Sequence, residues 1–119
     1  MFFFFFYTQL DVYKYLRKLI LEAYKVTKLL QDDERYGLIS QIRRAGLSIH
    51  LNIAEGSSRK SKADRKRFFE ISRGSLIEVD TAIGVAYDLE LLTDDQVADL
   101  GELIINTFKV LTGLIKSQE

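Results

Sequence analysis

The chain has 119 residues, 47% of them hydrophobic and 29% charged, which fits one globular domain with its own core and excludes a disordered polymer. It contains no cysteine, which excludes a disulfide framework, a thiol nucleophile and a thiolate metal site and suits a cytoplasmic location. It also contains no proline, the residue that most reliably breaks helices, so long uninterrupted helices are expected.

An aromatic run opens the chain: Phe2, Phe3, Phe4, Phe5 and Phe6, followed by Tyr7. No basic stretch precedes the run and no small-residue cleavage site follows it, so it does not fit a signal peptide. It is also far shorter than the roughly 20 residues that span a bilayer, and no membrane contact is expected. We interpret residues 1–7 as an extension that packs between subunits; a disordered segment or a misassigned gene start is the alternative.

The first helix is predicted to begin at Thr8, because Thr8 and Asp11 have the spacing of a capping box. Its apolar residues fall on one face at helical spacing: Val12, Leu16, Leu19, Ile20, Ala23, Val26, Thr27 and Leu30. Tyr13 and other large apolar residues lie off this face. A helix that is apolar on more than one side needs a second partner, and this predicts a homo-oligomer with Tyr13 near the interface.

The second helix is predicted from about residue 34 to 55, with Gly56 as the residue just beyond its end. Ser61 is predicted to cap the third helix, and Phe68 is placed on its inner stripe. The third and fourth helices contain Gly74, Gly84 and Gly101, which we interpret as sites of close helix approach.

The fourth helix is predicted to open with a capping box formed by Thr93 and Gln96. Its apolar stripe includes Phe108. No strand-like alternation competes with these patterns. Residues 8–119 are therefore predicted to form an all-α domain, an antiparallel up-down-up-down four-helix bundle.

The net charge of zero conceals a strong asymmetry along the chain. Residues 1–42 carry six basic and five acidic residues, residues 43–73 carry nine and three, and residues 74–119 carry two and nine. The three segments therefore have net charges of +1, +6 and −7. An average isoelectric point says little about what the basic part attracts.

The sequence SSRKSKADRKR, residues 57–67, is the leading candidate for a binding site. It places six cations around a predicted helix N-terminus: Arg59, Lys60, Lys62, Arg65, Lys66 and Arg67. Such a cluster can hold the phosphates of RNA or DNA without reading the bases. The alternative is a solvated helix start whose cations pair with the acidic surface of a neighbouring subunit.

Two further arginines, Arg43 and Arg44, lie in the middle of the second predicted helix. They either add to a nucleic-acid surface of the predicted homo-oligomer or hold the helices in register. In the second case Arg44, together with Arg73 and Glu78 of the third helix, would form structural ion pairs.

Nothing in the sequence indicates catalysis. His50 is the only histidine and has no partner motif for a metal or a catalytic base, so we interpret it as a surface or packing residue. No phosphate-binding glycine loop or nucleophile motif occurs. The sequence therefore predicts no enzymatic activity, no cofactor and no metal.

Several short motifs are similar to the signature of the 23S rRNA intervening-sequence protein family, also called the four-helix-bundle protein family. They are LDVYK at 10–14, QIRRA at 41–45, SI at 48–49, NIAEG at 52–56, Phe69, RGSL at 73–76 and Glu78. Many members have proline after the Ser-Ile pair, where this chain has His50. The resemblance starts only near residue 10, so it leaves the phenylalanine run outside.

The resemblance implies a bundle that assembles as a ring, typically a pentamer. One related branch, the accessory variability determinant of diversity-generating retroelements, resembles a basic ring that binds nucleic acid and a reverse transcriptase. The resulting hypothesis is a bacterial homo-oligomer that binds RNA or DNA backbone. The alternative is a scaffold that recruits a protein partner without nucleic acid, with acidic Asp94, Asp95, Asp99 and Glu102 as a possible docking face.

Overall fold

The computed structural model describes residues 11–119, where it contains four α-helices and no strand. The helices are α1 (Asp11–Thr27), α2 (Ser40–Ser57), α3 (Lys62–Asp88) and α4 (Asp94–Lys116). The predicted extension with Phe2, Phe3, Phe4, Phe5 and Phe6, and the predicted cap at Thr8, lie outside the described residues.

Each helix packs against the next, and α4 closes the bundle against α1. The pairs are antiparallel, as three contacts between α2 and α3 illustrate. Gln41 contacts Glu78, Ser48 contacts Ser75, and Gly56 faces Phe69, so the partner number falls as the first number rises. The predicted four-helix bundle is confirmed as the fold of this chain.

Two helices begin at the N-caps that the sequence predicts. The Ser61 hydroxyl accepts a hydrogen bond from the amide of Asp64, and Thr93 forms a full capping box with Gln96. The second helix differs from the prediction. A 3-10 turn (Asp32–Glu34) and a π-helical segment (Arg35–Ile39) precede α2, so the regular α-helix begins only at Ser40.

Two predicted core positions are wrong by one residue. On α3 Phe69 is 2% exposed, whereas Phe68 is only half-buried; on α4 Thr107 is fully buried while Phe108 is 40% exposed. A helix turns by about 100° per residue, so adjacent apolar side chains point in quite different directions. In each adjacent pair one side chain is therefore buried in the core. The other, Phe68 or Phe108, lies nearer the surface and contacts arginines.

The α2–α3 contact is close and partly polar. The Ser72 hydroxyl donates to the carbonyl oxygen of Ile49 at 2.8 Å, and the Ser48 and Ser75 hydroxyls lie 2.9 Å apart. Such small side chains allow two helix backbones to approach each other. Because each buried hydroxyl has a partner, the contact avoids the cost of an unsatisfied polar group.

Gly56 is the tightest point of this contact. It lies inside α2, which continues to Ser57, so the prediction that it is the residue just beyond the end of the helix is wrong. A Cβ added at Gly56 would lie 2.7 Å from Cε1 of Phe69 and 2.9 Å from Cβ of Phe68. Gly74, Gly84 and Gly101 have no atom within 4 Å of such a Cβ, so their predicted close helix approach is also wrong within the chain.

We predict that Gly56→Ala destabilises the bundle by about 1–3 kcal/mol, because the methyl group overpacks against Phe69. The matched control is Gly84→Ala, which gains helix propensity without meeting another atom and should stabilise by up to about 1 kcal/mol. Urea unfolding at fixed protein concentration measures both. Equal effects of the two substitutions would contradict this explanation for Gly56.

Candidate nucleic-acid interface

The basic segment (residues 57–67) connects the end of α2 to the first turns of α3. Ser61 caps α3, and the start of this helix faces solvent. Lys60 and Lys62, on either side of Ser61, are exposed. Helix N-termini present unpaired amides and the positive end of the helix dipole, which favour an anion. Asp64 lies in the same first turn and opposes this preference. Any anion binding here therefore depends on the surrounding cations.

Arg65 has a structural role in this segment. Its Nη1 donates hydrogen bonds to the carbonyl oxygens of Lys60 at 2.7 Å and Arg59 at 3.1 Å. Its Nε donates to Oε1 of Gln118 at 2.7 Å, which connects the segment to the residues after α4. These hydrogen bonds occupy three of the five N–H donors of the guanidinium group, so Arg65 holds the shape of the segment.

Phe68 organises two other arginines of the segment. The guanidinium carbon of Arg59 lies 4.9 Å from the centre of the Phe68 ring, and that of Arg67 lies 4.6 Å from it. Arg59 also forms an ion pair with Glu55. Cation–π contacts of this kind hold the guanidinium groups in place while their edges stay accessible to phosphate oxygens.

The remaining cations of the segment differ in how far they are engaged. Lys66 forms an ion pair with Glu119 at 3.4 Å. Lys60 and Lys62 form no side-chain hydrogen bond or ion pair with any residue of the described part of the chain. The segment thus divides into a structural arginine, three restrained cations and two unpaired lysines.

Arg43 and Arg44 are separated by the fold. Arg43 is half-buried: its Nε donates to the Thr27 hydroxyl at 2.8 Å and its guanidinium carbon lies 4.7 Å from the centre of the Tyr24 ring. It therefore joins α2 to α1 through neutral partners, and not to the third helix through the ion pairs of the structural interpretation. Arg44 points to solvent from the outer face of α2.

The ion pairs predicted for Arg44, Arg73 and Glu78 do not form. Among the side chains that the structure describes, the ion pairs are Arg59–Glu55 and Lys66–Glu119. Arg73 instead donates to the Thr112 hydroxyl at 3.2 Å and stacks on Phe108, which joins α3 to α4. Glu78 accepts a long 3.5 Å hydrogen bond from Gln41. Neutral partners therefore hold these helices together.

A second group of cations, which sequence reasoning missed, lies on α1 and the residue after it. It consists of Lys14, Arg17, Lys18, Lys25 and Lys28, all exposed. The net charge of residues 1–42 does not reveal them, because the three acids of the Asp32–Glu34 turn, at the opposite end of the bundle from the basic segment, cancel much of their charge. Counting charge by helical face instead of by segment would have found them.

Opposite charges collect at opposite ends of the bundle. The basic segment and the C-terminal residues form one end. The Asp32–Glu34 turn and the start of α4, with Asp94 and Asp95, form the other. The predicted acidic docking residues Asp94, Asp95, Asp99 and Glu102 are all exposed. A chain of zero net charge thus presents an uneven electrostatic surface.

His50 packs against Tyr13, with ring centroids 5.3 Å apart, and α2 continues through it. This contact joins α2 to α1. Burial lowers the pKa of His50, and its Nε2 is buried without a hydrogen bond to any residue that the structure describes. Among the side chains that the structure describes, no group of three or more potential ligands is arranged to hold a metal ion.

Comparisons with known proteins identify the family and the fold of the chain. The sequence model of the 23S rRNA-intervening sequence protein family matches residues 8–113. The chain belongs to this family. No curated protein matches it. Within residues 11–119, no helix combines the length and the apolar character needed to cross a membrane.

A solved structure shares the fold of this family member. It is the 1.70 Å crystal structure of a protein with unknown function from the S23 ribosomal protein family of Bacteroides thetaiotaomicron VPI-5482. The TM-score is 0.81 at 23% sequence identity, and the alignment covers 88% of this chain and 98% of that chain. At this identity the likeness establishes the four-helix fold alone.

We predict that His50 makes the protein less stable in mild acid. Burial lowers the pKa of His50 in the folded protein below its ordinary value of 6.5. As the pH falls, His50 is therefore protonated in the unfolded chain before it is protonated in the folded one. The free energy of unfolding should therefore fall as the pH decreases from about 7 to about 5.5. His50→Gln should show a smaller fall over the same range in urea unfolding. The same pH dependence in both proteins would contradict the assignment to His50.

Proposed function

We propose that the protein is a non-enzymatic homo-oligomer that binds the phosphate backbone of RNA or DNA through its basic segment. The observation that carries this proposal is the pair of exposed, unpaired lysines, Lys60 and Lys62, at the open N-terminus of α3. Unpaired cations at such a position attract phosphate, and releasing counterions from the nucleic acid supplies the binding free energy.

The restrained cations add to this site to different degrees. The ion pairs of Arg59 with Glu55 and of Lys66 with Glu119 are solvent-exposed, and such pairs contribute only about 0–1 kcal/mol. A phosphate can therefore replace either carboxylate at little cost. Arg67 has no carboxylate partner among the described residues and lies against the Phe68 ring. We expect Arg65 to be excluded from binding by its three hydrogen bonds.

The contacts available in this segment favour the backbone over the bases. Base stacking needs an accessible aromatic surface. The Phe68 ring already has Arg59 and Arg67 against it. We therefore expect binding that depends strongly on salt and weakly on sequence.

We further propose that the subunits form a ring of five, the assembly that the family resemblance implies. Exposed apolar side chains support an assembly of some kind: Leu47 and Leu51 on α2, Ile71 and Ile77 on α3, and Ile105 and Phe108 on α4. A groove of about 270 Å³ between α3 and α4 is lined by Ile77, Ile105 and Phe108, among others. A monomer mass in light scattering would remove this part of the proposal.

The test is a fluorescence-anisotropy titration of a labelled duplex of about 20 base pairs. We expect the logarithm of the binding constant to fall linearly with the logarithm of salt concentration, with a slope of roughly −0.9 per phosphate contact. Lys60→Gln/Lys62→Gln should weaken binding and reduce the slope by up to about 1.8.

Lys109→Glu on α4 is the matched control, because it changes the net charge by the same two units at an exposed site outside the segment. Lys109 lines the groove between α3 and α4, so the mass of this variant in light scattering must equal that of the wild type. Equal losses in both variants would mean that only net charge matters. If the wild-type protein does not bind at low salt, the scaffold hypothesis, with the acidic end of the bundle as the docking surface, would replace this proposal.

A further inference from the structure

The outer face of α1 carries a row of cations that no acidic side chain interrupts. At about 100° per residue, Lys14, Arg17, Lys18, Lys25 and Lys28 fall within an arc of roughly 100° around the helix. The amide of Lys28 bonds to the carbonyl oxygen of Tyr24, which continues the last turn to this residue. From Lys14 to Lys28 the row is about 21 Å long at 1.5 Å per residue.

These cations are available to a partner. All five are exposed, and none forms a side-chain hydrogen bond or an ion pair with another residue in the described range. Lys18 is the least free, because it shares a groove of about 500 Å³ with Glu22, Asp99 and Glu102. The other four lie away from that groove.

We propose that this cationic row, residues 14–28 of α1, is a second binding surface for the phosphate backbone of a nucleic acid. The inference rests on the proposed function and adds a surface to it. A polyanion has evenly spaced charges and can contact the whole length of the row. At the basic end of the bundle, the row comes near the basic segment. Tyr13, next to Lys14, packs against His50, and α2 leads from His50 into that segment about two turns later. One strand can therefore contact both surfaces.

An acidic face of a second copy fits the row less well. The acids of α4 are Asp94, Asp95, Asp99 and Glu102, which span only about 12 Å at 1.5 Å per residue. They could cover about half of the cationic row and would leave the rest unpaired. A nucleic acid has no such limit in length.

An anionic membrane surface also fits less well. Helices that lie on membranes insert an apolar side between the lipids. The apolar side of α1 is buried in the bundle, with Leu16 and Leu19 only 2% and 1% exposed. Leu21 within the arc of cations, and Leu29 and Tyr24 at its two edges, are exposed. The cations separate these three side chains around the helix, so the face has no continuous apolar side to insert.

The experiment uses two α1 variants, Lys14→Gln/Arg17→Gln near the basic end and Lys25→Gln/Lys28→Gln near the far end. Each lowers the net charge by two, as Lys109→Glu does, and glutamine keeps the helix propensity. With the same duplex at about 100 mM salt, each α1 variant should lose about tenfold in affinity and reduce the salt slope by up to about 1.8. Lys109→Glu should change both much less.

The outcomes separate the inference from the proposed function. If Lys60→Gln/Lys62→Gln weakens binding while both α1 variants bind like the wild type, the α1 surface is overturned and the proposed function stands. If the α1 variants change the mass of the oligomer in light scattering, the row is a subunit contact and the inference fails. If the wild-type protein does not bind the duplex, the proposed function and the α1 surface are both wrong.

Discussion

The close contact between α2 and α3 at Gly56 determines the geometry of the basic segment. Because Gly56 has no Cβ, the Phe69 ring can enter the core at this point. The helix then turns Phe68 toward the surface, where two arginines of the segment stack on it. The same contact fixes the start of α3, from which Arg65 reaches the carbonyl oxygens of the preceding loop. Packing in the core thus decides which cations are engaged and which stay free.

The fold also separates charges that the sequence averages to zero. The acids of the first 42 residues lie mostly in the turn after α1, whereas its cations face solvent along the helix. The acids of α4 collect near its start, at the same end of the bundle as that turn. The surface of the bundle therefore has two basic regions, the outer face of α1 and the end with the basic segment, and one acidic end. Long-range electrostatics would orient a polyanion before any contact forms.

Much of the fold could be predicted from the sequence, because caps and helical periodicity are local. Ser61 and Thr93 begin their helices as expected. Periodicity does not decide which of two adjacent apolar residues enters the core, and Phe68 was misplaced for that reason. The role of Arg65 depends on Gln118, 53 positions away, which only the tertiary structure brings near. The net charge of a segment did not reveal the cationic row of α1, because a net charge does not record on which side of the helix each charged residue lies.

Lysine footprinting tests most directly the claim that the unpaired cations contact phosphate. The protein is acetylated briefly with and without an excess of duplex DNA, and the modification of each lysine is measured by mass spectrometry. Bound DNA should protect Lys60 and Lys62 of the segment and Lys25 and Lys28 of α1, and should leave Lys109 as reactive as before. Protection confined to Lys109, or no difference at any lysine under conditions where the DNA is bound, would contradict the account.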